Sequence, residues 1–411
     1  MGNSAYEDVW RSELPHVLAA LTRRFGYFDD CEDAAQLALV AAAEQWPRDG
    51  VPSDPRGWLL RVASRRLIDQ FRQDENRRRR EERAARLGVS DDPPRDAATE
   101  ASADTDDTLQ LMLLCCHPSL SRSSQVALTL RAVAGLSTRE IADGFLVPET
   151  TMAQRISRAK TTLTREGVCF RPPSPGELPG RVLAVRHAIS LLFTQGHLCS
   201  EGPEAIDNDL RSTAITLTRQ LVAALPSDPE NVGLLALLLL TEARIPARLD
   251  DNGDLIPLEQ QDRSAWHPDS VEEGIRLLEQ ILPQGYVGPF QVKAAVAAVH
   301  AEASSPDQTD WAQILALYAM LAQIAPSTAT TIGLASATAE VDGPEAALRV
   351  LDKITDQRNH RKHAVRGHLL VRLGDRAGAR EAFATAARLT RSIPEQRYLN
   401  RLVADLDVGT G

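Results

Sequence analysis

Helical periodicity runs through this sequence from end to end, with almost no alternation of Val, Ile and Thr, and that pattern predicts an all-α fold. Ala and Leu dominate, aromatic residues make up only 4%, and 411 residues suffice for two or three domains with sizeable cores. The longest apolar run, Leu234 to Leu240, is too short to span a bilayer and reads as a buried helix. No secretory signal opens the chain, and its five cysteines form neither a disulfide framework nor a C-x-x-C pair. A soluble protein of a reducing cytoplasm, with no membrane partner, is the expectation. The formal net charge of −10 argues against a broad basic surface gripping bare duplex DNA, so any DNA binding is local or assisted.

One stretch, STREIADGFLVPETTMAQRISRAK at residues 137–160, predicts two short helices and a tight turn. Ser137 and Glu140 have the spacing of a capping box, Ile141, Ala142 and Phe145 supply an inward face, and Pro148 breaks the helix while suiting the start of another. In the second helix Met152, Ile156, Ala159 and Leu163 make one apolar stripe. The opposite face is assigned Glu149, Thr150, Thr151, Gln154, Arg155, Ser157, Arg158 and Lys160, side chains able to reach base edges and phosphates. This predicts a helix-turn-helix with a recognition helix, against an ordinary helical hairpin with a solvated basic face.

Residues 1–72 read as a compact helical unit. Val9, Trp10, Leu14, Val17, Leu18 and Leu21 form the inner stripe of a first helix ending near Gly26. A second, DDCEDAAQLALVAAAEQW, opens with acids suited to a positive helix N-terminus. A loop is expected over PRDGVPSDPRG, whose prolines and glycines oppose regular structure. The helix WLLRVASRRLIDQFRQ then sets Leu59, Val62, Ala63, Leu67 and Phe71 against Arg61, Arg65, Arg66 and Arg72, a face that can follow phosphates.

The order of these elements is similar to that of the bacterial extracytoplasmic-function sigma factors, carried by EDAAQLAL, PRGWLLRVASRRLIDQFR and the helix-turn-helix. The resemblance implies a non-enzymatic partner of core RNA polymerase, contacting the β′ clamp helices and the β subunit, and of promoter DNA. It implies no cofactor and no metal. EDAAQLAL resembles the clamp-docking segment, which makes Asp33 and Gln36 the expected polymerase-facing residues, with a plain solvated surface as the alternative. The loop from Trp46 to Gly57 is implied to read the −10 base, with Arg48, Asp49, Ser53 and Arg56 its polar candidates. Arg65, Arg66 and Arg72 are candidates for the freed strand, since opening a promoter requires a base pocket beside a cationic track. Trp58 reads more readily as a core residue than as a base-stacking platform. The −35 candidates are Glu149, Thr150, Gln154, Arg155, Arg158 and Lys160. An acidic protein that reads promoters only when a larger machine holds the duplex fits the net charge.

Residues 73–107, with basic Arg77–Arg80 and seven acids against one arginine from Asp91 to Asp107, read as a disordered charged linker. By resemblance such a linker threads the polymerase cleft, and a plain tether reads equally well. The second domain, 108–170, would pack on Leu109, Met112, Leu113, Leu120, Val126, Leu128 and Leu130. Cys115-Cys116-His117 reads as core and not as a metal or thiol site, because adjacent cysteines on a helix cannot face one ion. Leu146 stands where the family's turn glycine is expected, and Pro148 serves the turn instead.

RPPSPGELPG at 171–180 is a domain boundary. Nearly the whole chain resembles the sigma subgroup called group 42, which carries a tetratricopeptide-like extension here at 181–411, through LLCCHPSL and FLVPETTMAQRISRAK before the boundary and QDRSAWHPDSVEEG, GPFQVKAAVAAVHAEA and DWAQILALY after it. LLFTQGH at Leu191 to His197 departs from the Asn-Glu-Gly-Tyr pattern expected there. Gly374, Ala379, Phe383 and Ala386 occupy helical-hairpin packing positions, and Ala347 and Leu351 repeat them about 32 residues earlier after Gly343. Stacked hairpins present a concave surface for a protein or peptide. QDRSAW, with Gln261, Asp262, Arg263 and Trp266, is assigned to an inter-domain contact and not to an enzyme site, because no nucleophile-base pair accompanies it. The reading is a sigma factor controlled in cis by a helical extension. Its rival is a stand-alone helix-turn-helix regulator with a protein-binding array.

Overall fold

A computed structural model describes residues 4–85, 104–145, 147–168, 170–198, 204–250, 253–285, 287–390 and 392–408. Expectations for Leu146 and for most of the acidic linker fall outside them. Among the described residues the regular elements are helices, apart from one isolated bridge between Leu249 and Leu255. None of these helices is long and apolar enough to cross a membrane. The chain divides into two compact units, residues 1–191 and 192–411.

The first unit holds α1 (Ser4–Phe25), α2 (Phe28–Asp49), α3 (Pro55–Ala85), α4 (Asp104–Cys115), α5 (Arg122–Ala132), α6 (Thr138–Gly144), α7 (Glu149–Arg165) and the start of α8 (Leu178–Leu198). α1 to α3 pack together over the expected stripe, with Leu14, Val17, Leu18, Leu21, Leu59, Ala63 and Leu67 buried. Gly26 ends α1 with φ 81°, and its amide donates to the Thr22 carbonyl at 2.8 Å, the left-handed stop only glycine adopts without strain.

The loop expected from Trp46 to Gly57 is shorter. Pro47 to Asp49 complete α2 and Pro55 to Gly57 open α3, leaving residues 50–54 between them. Proline suits the first turn because its missing N–H would have had no helical partner there. Asp54 caps α3 by accepting the Gly57 amide at 2.8 Å. At its other end α3 continues past residue 72 to Ala85, and α4 begins at Asp104, so both ends of the stretch read as a linker are helical. α4 and α5 bury all seven expected core residues together with Cys115 and Cys116.

The second unit continues with α9 (Glu204–Ala224), α10 (Pro229–Glu242), α11 (Pro268–Ile281), α12 (Pro289–Glu302), α13 (Trp311–Ile324), α14 (Thr328–Val341), α15 (Pro344–Leu351), α16 (His360–Arg372), α17 (Arg376–Leu389) and α18 (Ile393–Val408). Each packs on its neighbour in sequence, a stack of helical hairpins of the tetratricopeptide-like kind. Ala347, Leu351, Ala379, Phe383 and Ala386 are buried at the repeat positions. Close helix approach depends on Gly367, where a Cβ would fall 2.5 Å from the Phe383 ring.

α12 is anchored through its N-terminus. The buried Glu230 carboxylate, carried on α10, accepts the Phe290 amide at 3.1 Å and the Gln291 amide at 3.0 Å. A negative charge at the positive end of a helix dipole satisfies donors that would otherwise be stranded. Glu230→Ala should therefore destabilise the protein by about 2–4 kcal/mol in urea denaturation, because two interior amides lose their acceptor. A change within error would show that the amides find another partner.

Candidate nucleic-acid interface

The helix-turn-helix forms as its spacing requires. The Glu140 carboxylate accepts the Ser137 amide at 2.7 Å, and the Glu140 amide donates to the Ser137 hydroxyl at 3.1 Å, the reciprocal pair of a capping box. Pro148 is the N-cap of α7. Met152, Ile156, Ala159 and Leu163 are buried, each larger side chain contributing about 1.5–3 kcal/mol of transfer free energy. Glu149, Thr150, Thr151, Gln154, Ser157 and Arg158 are exposed and Arg155 is half-buried, so six expected polar-face residues do face outward.

Lys160 does not. Its ammonium lies 2.5 Å from Asp29, 3.0 Å from Glu32 and 3.1 Å from Asp33, all on α2, with only 10% of the side chain exposed. This corrects its placement on the DNA-facing side of α7. Arg131 of α5 completes the cluster, donating from Nε to Glu32 at 2.9 Å and from Nη1 to the Leu136 carbonyl at 3.3 Å. Burial opposes the Lys160 charge, but the attraction of Glu32 and Asp29 outweighs it and holds the amine's pKa above its ordinary value. A raised lysine pKa stabilises fully below the unfolded value of about 10.4 and is lost only as pH rises through the folded value. The clasp is therefore charged throughout the neutral range.

The clasp joins two surfaces assigned to different partners. Asp33, expected to face polymerase, is 66% exposed yet shares the ammonium of a residue expected to face DNA, while Gln36 is half-buried on the same helix. Glu32, the buried centre of the cluster, was not singled out from the sequence. The available signal was a carboxylate beside Cys31 and Ala35 on the stripe α2 buries.

The residues expected at the −10 element divide into two sets. Arg65, Arg66 and Arg72 are exposed along α3, as a phosphate-following face requires. Arg56 instead ties α3 to α1, donating from Nε to Glu13 at 2.7 Å, and Arg48 donates to the Glu44 carbonyl at 3.0 Å within α2. Asp49 and Ser53 are exposed at the end of α2 and in the short loop after it. Trp58 meets the buried Trp46 edge-on at 5.7 Å, and Trp46 also contacts Trp10 at 6.2 Å, so Trp58 belongs to an aromatic cluster bracing the loop.

Cys115 and Cys116 contribute packing. Burial pushes the Cys116 thiol up to about 12 and Cys115 well above the usual range, which leaves both as unreactive thiols. In the second unit Gln261 bonds the Ile256 carbonyl, Asp262 caps Ser264, and Arg263 reaches the Ala303 carbonyl and Thr309. These contacts of the QDRSAW segment, assigned above to an inter-domain role, are internal to the second unit.

Three segments of the chain match known families. Residues 9–78 match the family described as Sigma-70 region 2, residues 110–163 match Sigma-70, region 4, and residues 181–282 match a Family of unknown function (DUF6596). The uncharacterized protein R00370 of Rhizobium meliloti (strain 1021) is 38% identical over 398 residues, covering 94% of this chain and 92% of that protein. The crystal structure of yeast Tom70 aligns with 92% of this chain and 80% of its own at 11% identity and a TM-score of 0.38, a likeness too low to bear on function.

The clasp is open to a direct measurement. Lys160→Met and Glu32→Gln should each destabilise the first unit and couple by about 1–3 kcal/mol in a double-mutant cycle followed by urea denaturation. Additive effects would mean the pair is solvated and does not hold α7 to α2.

Proposed function

Because this chain belongs to the sigma-70 family, we propose that it is an extracytoplasmic-function sigma factor of the subgroup with a C-terminal helical extension, group 42, working in the cytoplasm. In this reading it joins core RNA polymerase through α2, docking Asp33 and Gln36 on the β′ clamp helices. It reads the −10 element beside α3 and the −35 element with the outward face of α7. It is a transcription factor and not an enzyme. The observation that carries the reading is the two-sidedness of α7, whose apolar stripe is buried while Gln154 and Arg158 stay exposed and Arg155 half so. That arrangement leaves guanidinium and amide groups free to enter a major groove.

The clasp is compatible with this reading. Asp33 pairs with Lys160 through Oδ1 alone and is 66% exposed, so its carboxylate can meet a basic polymerase surface while Glu32 and Asp29 keep Lys160 in place. The second unit is assigned the control of the first, with a protein or peptide as its ligand. Its support is its size and hairpin architecture, which offers a recognition surface.

Run-off transcription with purified core polymerase tests the proposal. Both the full chain and a truncation ending at Leu198, which retains the Arg181 bond to the Leu113 carbonyl, should produce promoter-specific transcripts at different levels. Equal levels would remove control in cis, and tight duplex binding without any transcript would favour a stand-alone regulator. Arg155→Ala and Arg158→Ala should each weaken use of a −35-dependent promoter by about 1–3 kcal/mol where the guanidinium pairs with guanine. An unchanged promoter preference would take that residue out of the interface.

A further inference from the structure

Residues 243–267 separate α10 from α11, far more chain than the roughly two to eight residues that usually join packed helices. A connection this long inside a compact unit commonly serves as a lid or a binding loop. Sigma-type promoter recognition gives it no role, and the QDRSAW segment that lies in it is not explained by that activity.

Its second part, 253–267, does not stay with its own hairpin. Arg263 donates to the Ala303 carbonyl after α12 and, at 2.9 Å, to the Thr309 hydroxyl before α13. Leu258 and Glu259 share a cavity of about 190 Å³ with Ile314 and Tyr318 of α13 and Gly333 of α14. Asp254 pairs with Arg401 of α18, 147 residues along the chain. Burial and then the charge of Glu259 push up the phenol of Tyr398, also on α18. In a stack of helical hairpins each repeat touches only its neighbours. This strap departs from that rule, because it runs from the α10–α11 hairpin to the last helix of the stack.

The two ends of the strap are held differently. At its root Trp266 is 5% exposed, with Arg244 and Arg263 at 5.5 and 5.7 Å from its ring centroid, and the His267 amide donates to the Ala243 carbonyl at 2.9 Å. Gln261 is buried and donates to the Ile256 carbonyl at 3.0 Å. At the far end the Asp254 side chain is 20% exposed and that of Arg401 50%. A pair so open to water is weak and is screened by salt. Between the two ends the cavity remains unfilled, so Leu258 forgoes dispersion contacts that a packed strap would make with α13 and α14.

We propose that the strap is an electrostatically latched cover on the second unit. Paired with Arg401, Asp254 holds it against α13 and α14, and loss of that pair lets it lift about its Trp266 root and uncover Ile314 and Tyr318. The unit then has a closed and an open form, whose balance shifts towards the open one as ionic strength rises. The latch does not depend on what the first unit does with polymerase or promoter.

Hydroxyl-radical footprinting of the full chain, read by mass spectrometry, measures the uncovering directly. The oxidation rates of Ile314 and Tyr318 are followed relative to that of the buried Trp46 in the first unit. From about 20 mM to about 500 mM NaCl both should rise by roughly 1.5- to fivefold, the range expected when an exposed ion pair is lost. Asp254→Asn and Arg401→Ala should show the raised rates already at low salt, and Asp254→Asn should no longer respond to salt. Asp254→Arg combined with Arg401→Asp should return the slow rates, a rescue that a merely structural role of either residue would not give. Rates in the unaltered chain that are flat with salt, or a salt response that persists in Asp254→Asn, would each overturn the proposal. The first of these needs no variant to fold.

Discussion

A carboxylate inside a helical core must be paired, and in the first unit Glu32 organises its surroundings for that reason. Its 5% exposed side chain draws Arg131 from α5 and Lys160 from α7 to α2, and Asp29 and Asp33 join from solvent. Removing one partner of such a cluster strands a buried charge, which costs several times more than losing a surface ion pair. The helix proposed to face polymerase and the helix proposed to read DNA are therefore tied together by one buried cluster. The inner side of one is held by the charges of the other, and only the outward face of α7 is left for recognition.

The second unit solves related problems with other groups. Glu230 supplies the acceptor for the buried start of α12, and Lys362, itself buried, donates to the Ile354 carbonyl at 2.7 Å after α15. Glu230 meets helix-start amides that have no helical partner, and Lys362 meets a loop carbonyl three residues beyond the end of α15. Around Trp266 cations gather on an aromatic face instead: Arg244 and Arg263 approach its ring at 5.5 and 5.7 Å, and Arg263 also donates to the Ala303 carbonyl and Thr309.

Glycine and proline act where backbone geometry is decisive. Gly26 ends α1 in a left-handed conformation, and Pro55 starts α3 where no amide is needed. The same residue types made PRDGVPSDPRG look irregular throughout, although Pro55 suits a helix start, Pro47 is accommodated within the last turn of α2, and only the middle five residues form the loop. Composition likewise assigned residues 73–85 to a linker because the stretch is highly charged. α3 continues through them on local hydrogen bonding, which needs no apolar stripe.

Local and periodic features were legible from the sequence alone: the all-helical class, the Ser137–Glu140 capping box, the apolar stripe of α7, the core of α4 and α5, and the repeat positions Ala347, Leu351, Ala379, Phe383 and Ala386. Each depends on contacts within a helix or on residues three and four apart, so spacing carries the information. What only the tertiary structure decided is which charges are spent on the fold. Lys160 and Arg158 lie two residues apart on one helix with the same formal charge, yet one is buried against α2 and the other faces solvent. Glu32 and Lys160 are separated by 128 residues, and no local pattern records that a carboxylate so distant in the chain will be the ammonium's partner. The grouping of Arg244, Arg263 and His300 around Trp266 is of the same kind, because it arises only when three segments of the hairpin stack close on one another.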